Sequence, residues 1–206
     1  MIYEIRTYTL KPGQTPEYEK RFEASLPARL KYSELAAFWH TEIGPLNQVI
    51  HVWPYENLQQ RDEIRARAAK EPDWPPKTGD LLLSMESGIY VPAPSSPKLG
   101  AGQKLGNIYE MRIYQCQPGS IPAVIERYGE ALKGGRLNLS PLAACMSSEI
   151  GQLNLWVHIW PYTDLAERDR IREESRKLST WPPKIREFLV SQQNKILIPA
   201  SFSPMA

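Results

Sequence analysis

The sequence has few cysteines and no long apolar segment. Cys116 and Cys145 are its two cysteines, and they form neither a CxxC pair nor a zinc-ligand spacing, which is typical of a reducing compartment. No apolar run approaches the ~20 residues of a membrane-spanning helix, and the amino terminus shows no signal-peptide pattern. We therefore predict a cytoplasmic protein without a membrane span.

Motifs for nucleotide binding, metal binding and nucleophilic catalysis are also missing. The sequence contains no GxGxxG, GxxxxGKS/T or GxSxG motif, and its histidines form no HxH or HExxH pair. The net charge of +2 comes from interspersed charges of both signs, which is typical of solvated helix faces. We therefore predict no cofactor, no bound metal and no nucleic-acid partner.

The sequence repeats itself once. Residues 42–65 (EIGPLNQVIHVWPYENLQQRDEIR) return as residues 149–172 (EIGQLNLWVHIWPYTDLAERDRIR), with 14 of 24 positions identical. Residues 2–16 return at 108–122, and WPPK occurs at 74–77 and 181–184. This long period predicts two copies of one small domain, residues 1–96 and 108–206. A Gly- and Lys-rich segment, residues 97–107, is predicted to be a flexible linker.

Each copy shows the pattern strand, helix, strand, strand, helix, strand. Alternating IYEIRTYTL indicates the first strand, and Asn57 with Gln60 has the spacing of a capping box at the second helix. This order predicts an α+β fold, a ferredoxin-like βαββαβ unit, in tandem. Helices cover one face of such a sheet and leave the other bare, so we predict that the two sheets pack together as a barrel-like pair.

Alternation along the strands divides the side chains between the two faces of each sheet. We expect the more apolar face, with Tyr3, Ile5 and Thr7, to meet the helices. The polar-aromatic face is then expected to point between the sheets and to form a ligand pocket. The candidate pocket residues are Glu4, Arg6, Tyr8, Trp39, Asn47, His51, Trp53, Glu110, Arg112, Tyr114, Asn154, His158 and Trp160.

Two interpretations of this face stay open. In the first, a glutamate beside a partly buried histidine performs acid–base chemistry on a bound molecule. In the second, Glu4 and Arg6 neutralise each other and the histidine is a satisfied core residue. The tryptophans of WPPK, Trp74 and Trp181, are predicted either to pack as stiff corners or to cover the pocket as lids.

YEIRTY, FWHTEIGPLNQVIHVWPYENLQQR and WPPK together resemble the NIPSNAP family, and YEMRIY, SSEIGQLNLWVHIWPYTDLAER and the second WPPK resemble a second NIPSNAP domain. The resemblance implies tandem domains of the dimeric α/β-barrel superfamily, which also contains cofactor-independent monooxygenases. It supplies no accepted catalytic residues. Eukaryotic relatives are associated with mitochondria and with vesicle-transport or protein-interaction roles.

Two functions from different classes follow. The first is binding of a small molecule in the barrel interior, with a cofactor-independent oxygenase or isomerase as the candidate activity. The alternative is a non-catalytic protein-interaction module with a packed interior, whose partner or second copy meets exposed tyrosines and the ends VPAPSSP and IPASFSP. Because the second copy has Met146 in place of Trp39, we also expect that only one half keeps a ligand-binding face.

Overall fold

A computed structural model describes residues 1–100 and 103–206. The first repeat contains β1 (Ile2–Leu10), α1 (Thr15–Leu30), β2 (Ala37–Ile43), β3 (Gln48–Tyr55), α2 (Leu58–Ala68) and β4 (Leu82–Pro92). The second contains β5 (Ile108–Cys116), α3 (Ile121–Lys133), β6 (Ala144–Ile150), β7 (Leu155–Tyr162), α4 (Leu165–Arg176) and β8 (Leu189–Pro199). Short 3₁₀ turns occur at Arg136–Asn138 and Arg186–Phe188. The predicted βαββαβ order is confirmed in both copies.

The second helix of each repeat begins at the predicted capping box. Asn57 accepts a hydrogen bond from the Gln60 backbone N–H at 2.9 Å, and the Gln60 side chain accepts from the Glu56 N–H at 2.7 Å. Asp164 accepts from the Glu167 N–H at 2.7 Å in the same way. These bonds satisfy backbone N–H groups at the start of the helix, which have no carbonyl partner within the helix. The caps therefore stabilise the first turn of each helix.

The eight strands close into one antiparallel barrel in the order β1-β3-β2-β8-β5-β7-β6-β4. The two repeats join edge to edge, because β2 pairs with β8 and β4 pairs with β6. Each repeat therefore supplies the edge strand that the other lacks, which removes the open edges of both four-stranded sheets. The predicted tandem ferredoxin-like barrel is confirmed. No helix of the described residues is long and apolar enough to span a bilayer.

The predicted assignment of the two sheet faces is wrong. Tyr3 and Ile5 lie in the central barrel core, with their counterparts Tyr109 and Met111. Tyr8 instead packs in a second core with residues of α1, and a third core under α3 mirrors it. Both faces of each sheet are covered, one by the opposite sheet and one by helices. The more apolar face lines the barrel core, where polar groups without partners would cost free energy.

The carboxy-terminal segment of each repeat packs on the other repeat. Ser96 accepts a hydrogen bond from the Cys145 N–H at 2.9 Å, and Ser203 accepts from the Phe38 N–H at 3.0 Å. Met205 is fully buried in the barrel core. The proline-rich ends were predicted as exposed partner-binding segments, and this prediction is wrong for the residues that pack. Phe202 of the second segment, for example, packs with its ring 5.8 Å from that of Phe22 in α1.

The connection between the repeats is fastened to the barrel at Leu99. This side chain is buried, and its N–H donates to the Tyr3 hydroxyl at 2.9 Å. The equivalent tyrosine of the second repeat, Tyr109, donates to the Met205 carbonyl at 2.9 Å. Leu99 and Met205 therefore close the same end of the barrel. Two residues of the predicted linker, 101 and 102, lie outside the described residues.

Candidate functional site

Each repeat has a pocket between its sheet and its helices. The amino-terminal pocket has a volume of about 340 Å³ and is lined by Arg6, Tyr8, His51 and Trp53, among others. The carboxy-terminal pocket has a volume of about 480 Å³, and its wall includes the equivalent residues Arg112, Tyr114, His158 and Trp160. The same residue types therefore build a pocket in both halves, and the expectation that only one half keeps a ligand-binding face stays a prediction.

Ten of the predicted site residues lie together in these two places, but on the helix side of the sheets. They are Glu4, Arg6, Tyr8, His51, Trp53, Glu110, Arg112, Tyr114, His158 and Trp160. Their predicted position between the sheets was wrong for the reason given above, since alternation identifies which residues share a face but not what covers it. The grouping itself followed from the period of two along the strands.

Three predicted site residues lie elsewhere. Trp39 is fully buried in the barrel core, where its ring packs 5.5 Å from that of Tyr109. Asn47 and Asn154 form the turns before β3 and β7 with φ of 58° and 59°. Asparagine tolerates this left-handed conformation better than most residues, so both asparagines have a structural role in the turn. Neither asparagine lines the helix-side pocket of its repeat.

Glu4 is a fully buried carboxylate held by cations. It accepts hydrogen bonds from Arg6 Nη1 at 2.7 Å, Arg61 Nη2 at 2.8 Å and Ser87 Oγ at 2.8 Å. Burial alone would raise the pKa of Glu4, but these bonds and the charges of Arg6 and Arg65 lower it to about 2. A carboxylate with such a pKa stays ionised at neutral pH and is a poor proton carrier.

Glu110 has the equivalent network in the second repeat. It accepts from Arg112 Nη1 at 2.9 Å, from Arg168 Nη2 at 2.8 Å and from Asn194 Nδ2 at 2.9 Å. Burial opposes ionisation, yet the Arg168 bond and the Arg112 charge lower the pKa of Glu110. These lowered pKa values argue against Glu4 and Glu110 as acid–base groups, because both carboxylates are bound by arginines.

The two strand histidines are neutral hydrogen-bond donors. Trp53 Nε1 lies 2.7 Å from His51 Nδ1, and Trp160 Nε1 lies 2.7 Å from His158 Nδ1. An indole N–H can only donate, so Nδ1 accepts and the single proton of each neutral ring is on Nε2. Within the described residues, neither Nε2 atom has a hydrogen-bond partner.

Burial prevents these rings from becoming charged. Burial, assisted by the nearby Arg6 charge, lowers the pKa of His51 to about 3. Burial and the charges of Arg112 and Arg136 hold the pKa of His158 well below its usual range. The expectation that a histidine of this site titrates near neutral pH is wrong. Each ring presents an N–H donor that survives over the whole physiological pH range.

Sequence reasoning missed the arginines that complete each pocket. Arg29 lies over the Trp53 ring at 4.5 Å, and Arg136 lies over the Trp160 ring at 3.9 Å. Arg61 binds Glu4 from α2. The repetition of Arg61 as Arg168 within the aligned segment was a usable signal. The equivalence of Arg29 and Arg136 was hidden, because the second copy gains one residue nearby.

The tryptophans of the two WPPK segments are pocket walls. Trp74 lines the amino-terminal pocket and packs with its ring 6.0 Å from that of Trp53. Trp181 lines the carboxy-terminal pocket and packs 5.8 Å from Trp160. The predicted packing of the WPPK tryptophans is therefore found in both repeats, and the lid interpretation stays a prediction.

The carboxy-terminal pocket has more arginines in its wall than the amino-terminal pocket, five against three. Tyr128 replaces Phe22, and within the described residues its buried hydroxyl has no hydrogen-bond partner. Arg186 occupies the position of Gly79, and Gln192 that of Met85. The carboxy-terminal pocket therefore offers more hydrogen-bond donors and more positive charge.

The barrel interior contains a separate cavity of about 520 Å³ at the end opposite Leu99 and Met205. None of the predicted site residues lines it. Its wall is instead formed by Ile5, Thr7, Glu86, Ser87, Gly88, Tyr90, Ile113, Gln115, Gly151, Gln152, Leu155, Ser191, Gln193 and Lys195. The alternative function, an interaction module, predicted a packed barrel interior. The interior is packed only at the end that Leu99 and Met205 close.

Neither cysteine has the environment of a reactive thiol. Cys116 and Cys145 are free and buried, and burial raises the pKa of Cys145 to about 11. No three His, Cys, Asp or Glu side chains of residues 1–100 and 103–206 cluster as metal ligands.

The arrangement of two equivalent units agrees with the sequence family. The NIPSNAP pattern matches residues 3–97 and again residues 109–204. The chain belongs to the NIPSNAP family. It is 33% identical over 219 residues to Protein NipSnap homolog 3A of Homo sapiens, with 100% of this chain and 86% of that protein covered. It is 38% identical over 212 residues to Protein NipSnap homolog of Dictyostelium discoideum, covering 96% and 87%.

Solved structures of low sequence identity share the barrel. A protein titled a putative monooxygenase from Lactobacillus acidophilus matches this NIPSNAP chain with a TM-score of 0.69 and 14% identity, covering 96% of this chain and 93% of that one. An anthrone oxidase-like protein matches with a TM-score of 0.62 and 8% identity, covering 100% and 94%. Identities this low show the fold alone.

Proposed function

We propose that the carboxy-terminal pocket binds a small organic anion with a flat aromatic body. The observation that carries this function is the unpartnered Nε2–H of His158, which is 2% exposed and lines the pocket. A buried donor without a partner costs about 1–3 kcal/mol, and a ligand oxygen would remove this cost. The Tyr128 hydroxyl supplies a second buried donor in the same wall.

The charge of the pocket favours an anion. Five arginines line it, namely Arg112, Arg136, Arg172, Arg176 and Arg186, against the single carboxylate of Glu110. Glu110 is already bound by Arg112 and Arg168. A positive charge therefore remains for a ligand, and a carboxylate, phenolate or enolate oxygen matches the guanidinium and imidazole donors.

The walls favour a flat ring. Tyr114, Tyr128, Trp160 and Trp181 present aromatic surface around the cavity. The Trp160 and Trp181 rings meet edge to face at 84°, which leaves a corner of two apolar surfaces. A volume of about 480 Å³ lies within the range of small-molecule sites.

These donors favour one kind of chemistry on a bound molecule. An N–H and a guanidinium aimed at one oxygen stabilise the negative charge of an enolate or phenolate, which is the electrostatic step of a cofactor-independent isomerase or oxygenase. The carboxylate and imidazole of the described pocket are both poor bases near neutral pH. The proton would therefore leave the molecule before binding or pass to solvent.

Binding of 2-naphthoate, followed by calorimetry, tests this function. The naphthoate should bind at one site per chain, whereas the neutral 2-naphthamide should bind at least about tenfold more weakly, because the arginines then lose their charged partner. Naphthamide binding as tight as naphthoate binding would overturn the assignment to an anion.

Matched histidine variants locate the site. In His158→Asn, the amide oxygen can still accept from Trp160, but the donor at Nε2 is lost, so the naphthoate Kd should rise about tenfold. His51→Asn makes the same change in the amino-terminal pocket and should leave the Kd unchanged. Equal effects of both variants would place the binding elsewhere.

A further inference from the structure

Lys195 is a buried amine in the barrel cavity and lies apart from both helix-side pockets. It belongs to β8, is 8% exposed, and lines the cavity of about 520 Å³. Its Nζ donates to Gln48 Oε1 at 2.7 Å. Among the described residues, no carboxylate lies within 4.0 Å of this nitrogen, so the amine has a neutral partner only.

The barrel itself does not require a long side chain here. The equivalent residue of the first repeat is Gly88, which lines the same cavity. The other repeat therefore closes the barrel with no side chain at this position. A lysine that only filled space would bury an ammonium group at considerable cost, when an apolar residue could fill the same volume.

The surroundings favour the neutral form of the Lys195 amine more than water does. Burial lowers the pKa of Lys195, and the one charged group that opposes this effect is Glu86 of β4. The remaining polar groups of the cavity wall are uncharged amides and hydroxyls, including those of Gln115, Gln193 and Ser191. Lowering the pKa of a lysine increases the fraction of neutral amine, which is the nucleophilic form.

We propose that Lys195 binds a small neutral aldehyde or ketone in the barrel cavity and condenses with it to an imine. The Nζ lone pair attacks the carbonyl carbon, an N–C bond forms, and the carbonyl oxygen takes up a proton. Loss of this oxygen as water, together with the protons of the amine, leaves a C=N bond. Amine and carbonyl compound are thereby converted to imine and one water, without an oxidant or reductant.

The wall selects the class of carbonyl compound. Amide and hydroxyl groups of Gln115, Gln193 and Ser191 suit a molecule that carries its own hydroxyl groups. The carboxylate of Glu86 disfavours an anionic 2-oxo acid. Ile5 and Ile113 make only part of the wall apolar, which disfavours a purely apolar carbonyl compound. A short hydroxyaldehyde fits these groups best.

Reductive trapping on the unaltered chain tests this site. The protein is incubated near neutral pH with glycolaldehyde and sodium cyanoborohydride, and modified lysines are identified by peptide mass spectrometry over time. Lys195 should be modified at least about tenfold faster than exposed Lys98, because ordinary surface lysines are almost fully protonated at this pH. Its rate should also saturate with glycolaldehyde concentration, as expected when binding precedes condensation.

Controls separate a binding site from general reactivity. The anionic glyoxylate and the apolar pentanal should modify Lys195 more slowly than glycolaldehyde does. Lys195→Met should lose the fast adduct, whereas the surface variant Lys98→Met should keep it. Modification of Lys195 no faster than Lys98, or a rate that rises linearly with every aldehyde, would overturn the inference. Naphthoate binding to the helix-side pocket is measured separately and does not depend on Lys195.

Discussion

Trp160 donates its indole N–H to His158 Nδ1 at 2.7 Å, and Trp53 makes the same bond to His51 in the other half of the molecule. The bond fixes the proton of each ring on Nε2, where a pocket ligand can use it. Two residues apart on one strand, tryptophan and histidine share a face, so this pairing follows directly from the strand geometry. Several measurable properties depend on it.

Acid should destabilise the protein in a window set by these histidines. The folded pKa of His51 is about 3, whereas an unfolded histidine titrates near 6.5. Between these values the unfolded chain binds the extra proton, so stability is complete above the unfolded pKa and falls as pH decreases toward the folded one. Full loss amounts to roughly 5 kcal/mol for one such histidine. Urea unfolding at a series of pH values measures this slope.

Two variants assign the acid slope. Between about pH 5 and 6.5, where carboxylates stay mostly ionised in both states, His51→Asn cannot titrate and should remove about half of the slope, since His158 provides the other half. His40, whose pKa is raised by its hydrogen bond to Glu19, is protonated in both states at acid pH. His40→Asn should therefore leave the slope below its unfolded pKa unchanged. An equal loss of slope in both variants would contradict the buried neutral state of His51.

Removing the charge of Glu4 should destabilise the protein more than removing Arg6. Glu4→Gln leaves Arg6 and Arg61 with an uncharged partner and should cost about 3–5 kcal/mol in urea unfolding. Arg6→Ala should cost about 1–2 kcal/mol, because Arg61 and Ser87 still bind the carboxylate. Equal losses would show that Arg6 alone balances Glu4.

An exposed ion pair provides the control for this comparison. Arg21 and Glu17 lie 2.7 Å apart on the solvent side of α1. Glu17→Gln should therefore change the free energy of unfolding by less than about 1 kcal/mol.

Tyr128→Phe should weaken anion binding without weakening the fold. The hydroxyl is buried and unpartnered among the described residues, so its removal deletes a desolvated group and should leave the melting temperature unchanged or higher. The naphthoate Kd should rise about tenfold, because one donor is lost. A clear fall in melting temperature would mean that the hydroxyl has a structural partner. Phe22→Tyr introduces the same hydroxyl into the amino-terminal pocket and should increase naphthoate binding there.

The first repeat alone should form a dimer. In the full chain β2 pairs with β8 and β4 pairs with β6, so a fragment of residues 1–100 exposes the edges of β2 and β4 and the barrel face with Trp39. Because β8 and β6 are the repeats of β4 and β2, two fragments can pair in the same way. Size-exclusion chromatography with light scattering should give twice the fragment mass. A folded monomeric fragment would contradict the mutual dependence of the two sheets.

Local signals in the sequence predicted the elements well, because they depend on neighbouring residues. The capping boxes at Asn57 and Asp164 mark helix starts within one or two residues of where the structure has them. The repetition of Glu4, Arg6, His51 and Trp53 in the second copy identified the polar-aromatic side chains of the strands that the two pockets share. The turn asparagines Asn47 and Asn154 were misassigned. In a single sequence, an asparagine required by a turn cannot be distinguished from one that contacts a ligand.

The pockets and the contacts between charged groups could be identified only in the folded structure. Arg61 lies far from Glu4 in sequence, and its contact depends on how α2 crosses the sheet. The unpartnered donors of His158 and Tyr128 are properties of packing, so no pattern of residue types reveals them. Lys195 appears in the sequence as one lysine among many, and only its position inside the closed barrel makes it unusual.

By itself, the sequence determined the duplicated α+β unit, the order of its strands and helices, and which side chains share a face, because these follow from local conformation and a period of two. The tertiary structure decided which face of each sheet turns toward the helices. Both faces are buried, one by the opposite sheet and one by helices, so alternation along a strand cannot tell them apart. It also decided that each repeat completes the sheet of the other and that the polar-aromatic face forms two helix-side pockets. Those outcomes depend on contacts between residues that are distant in the chain.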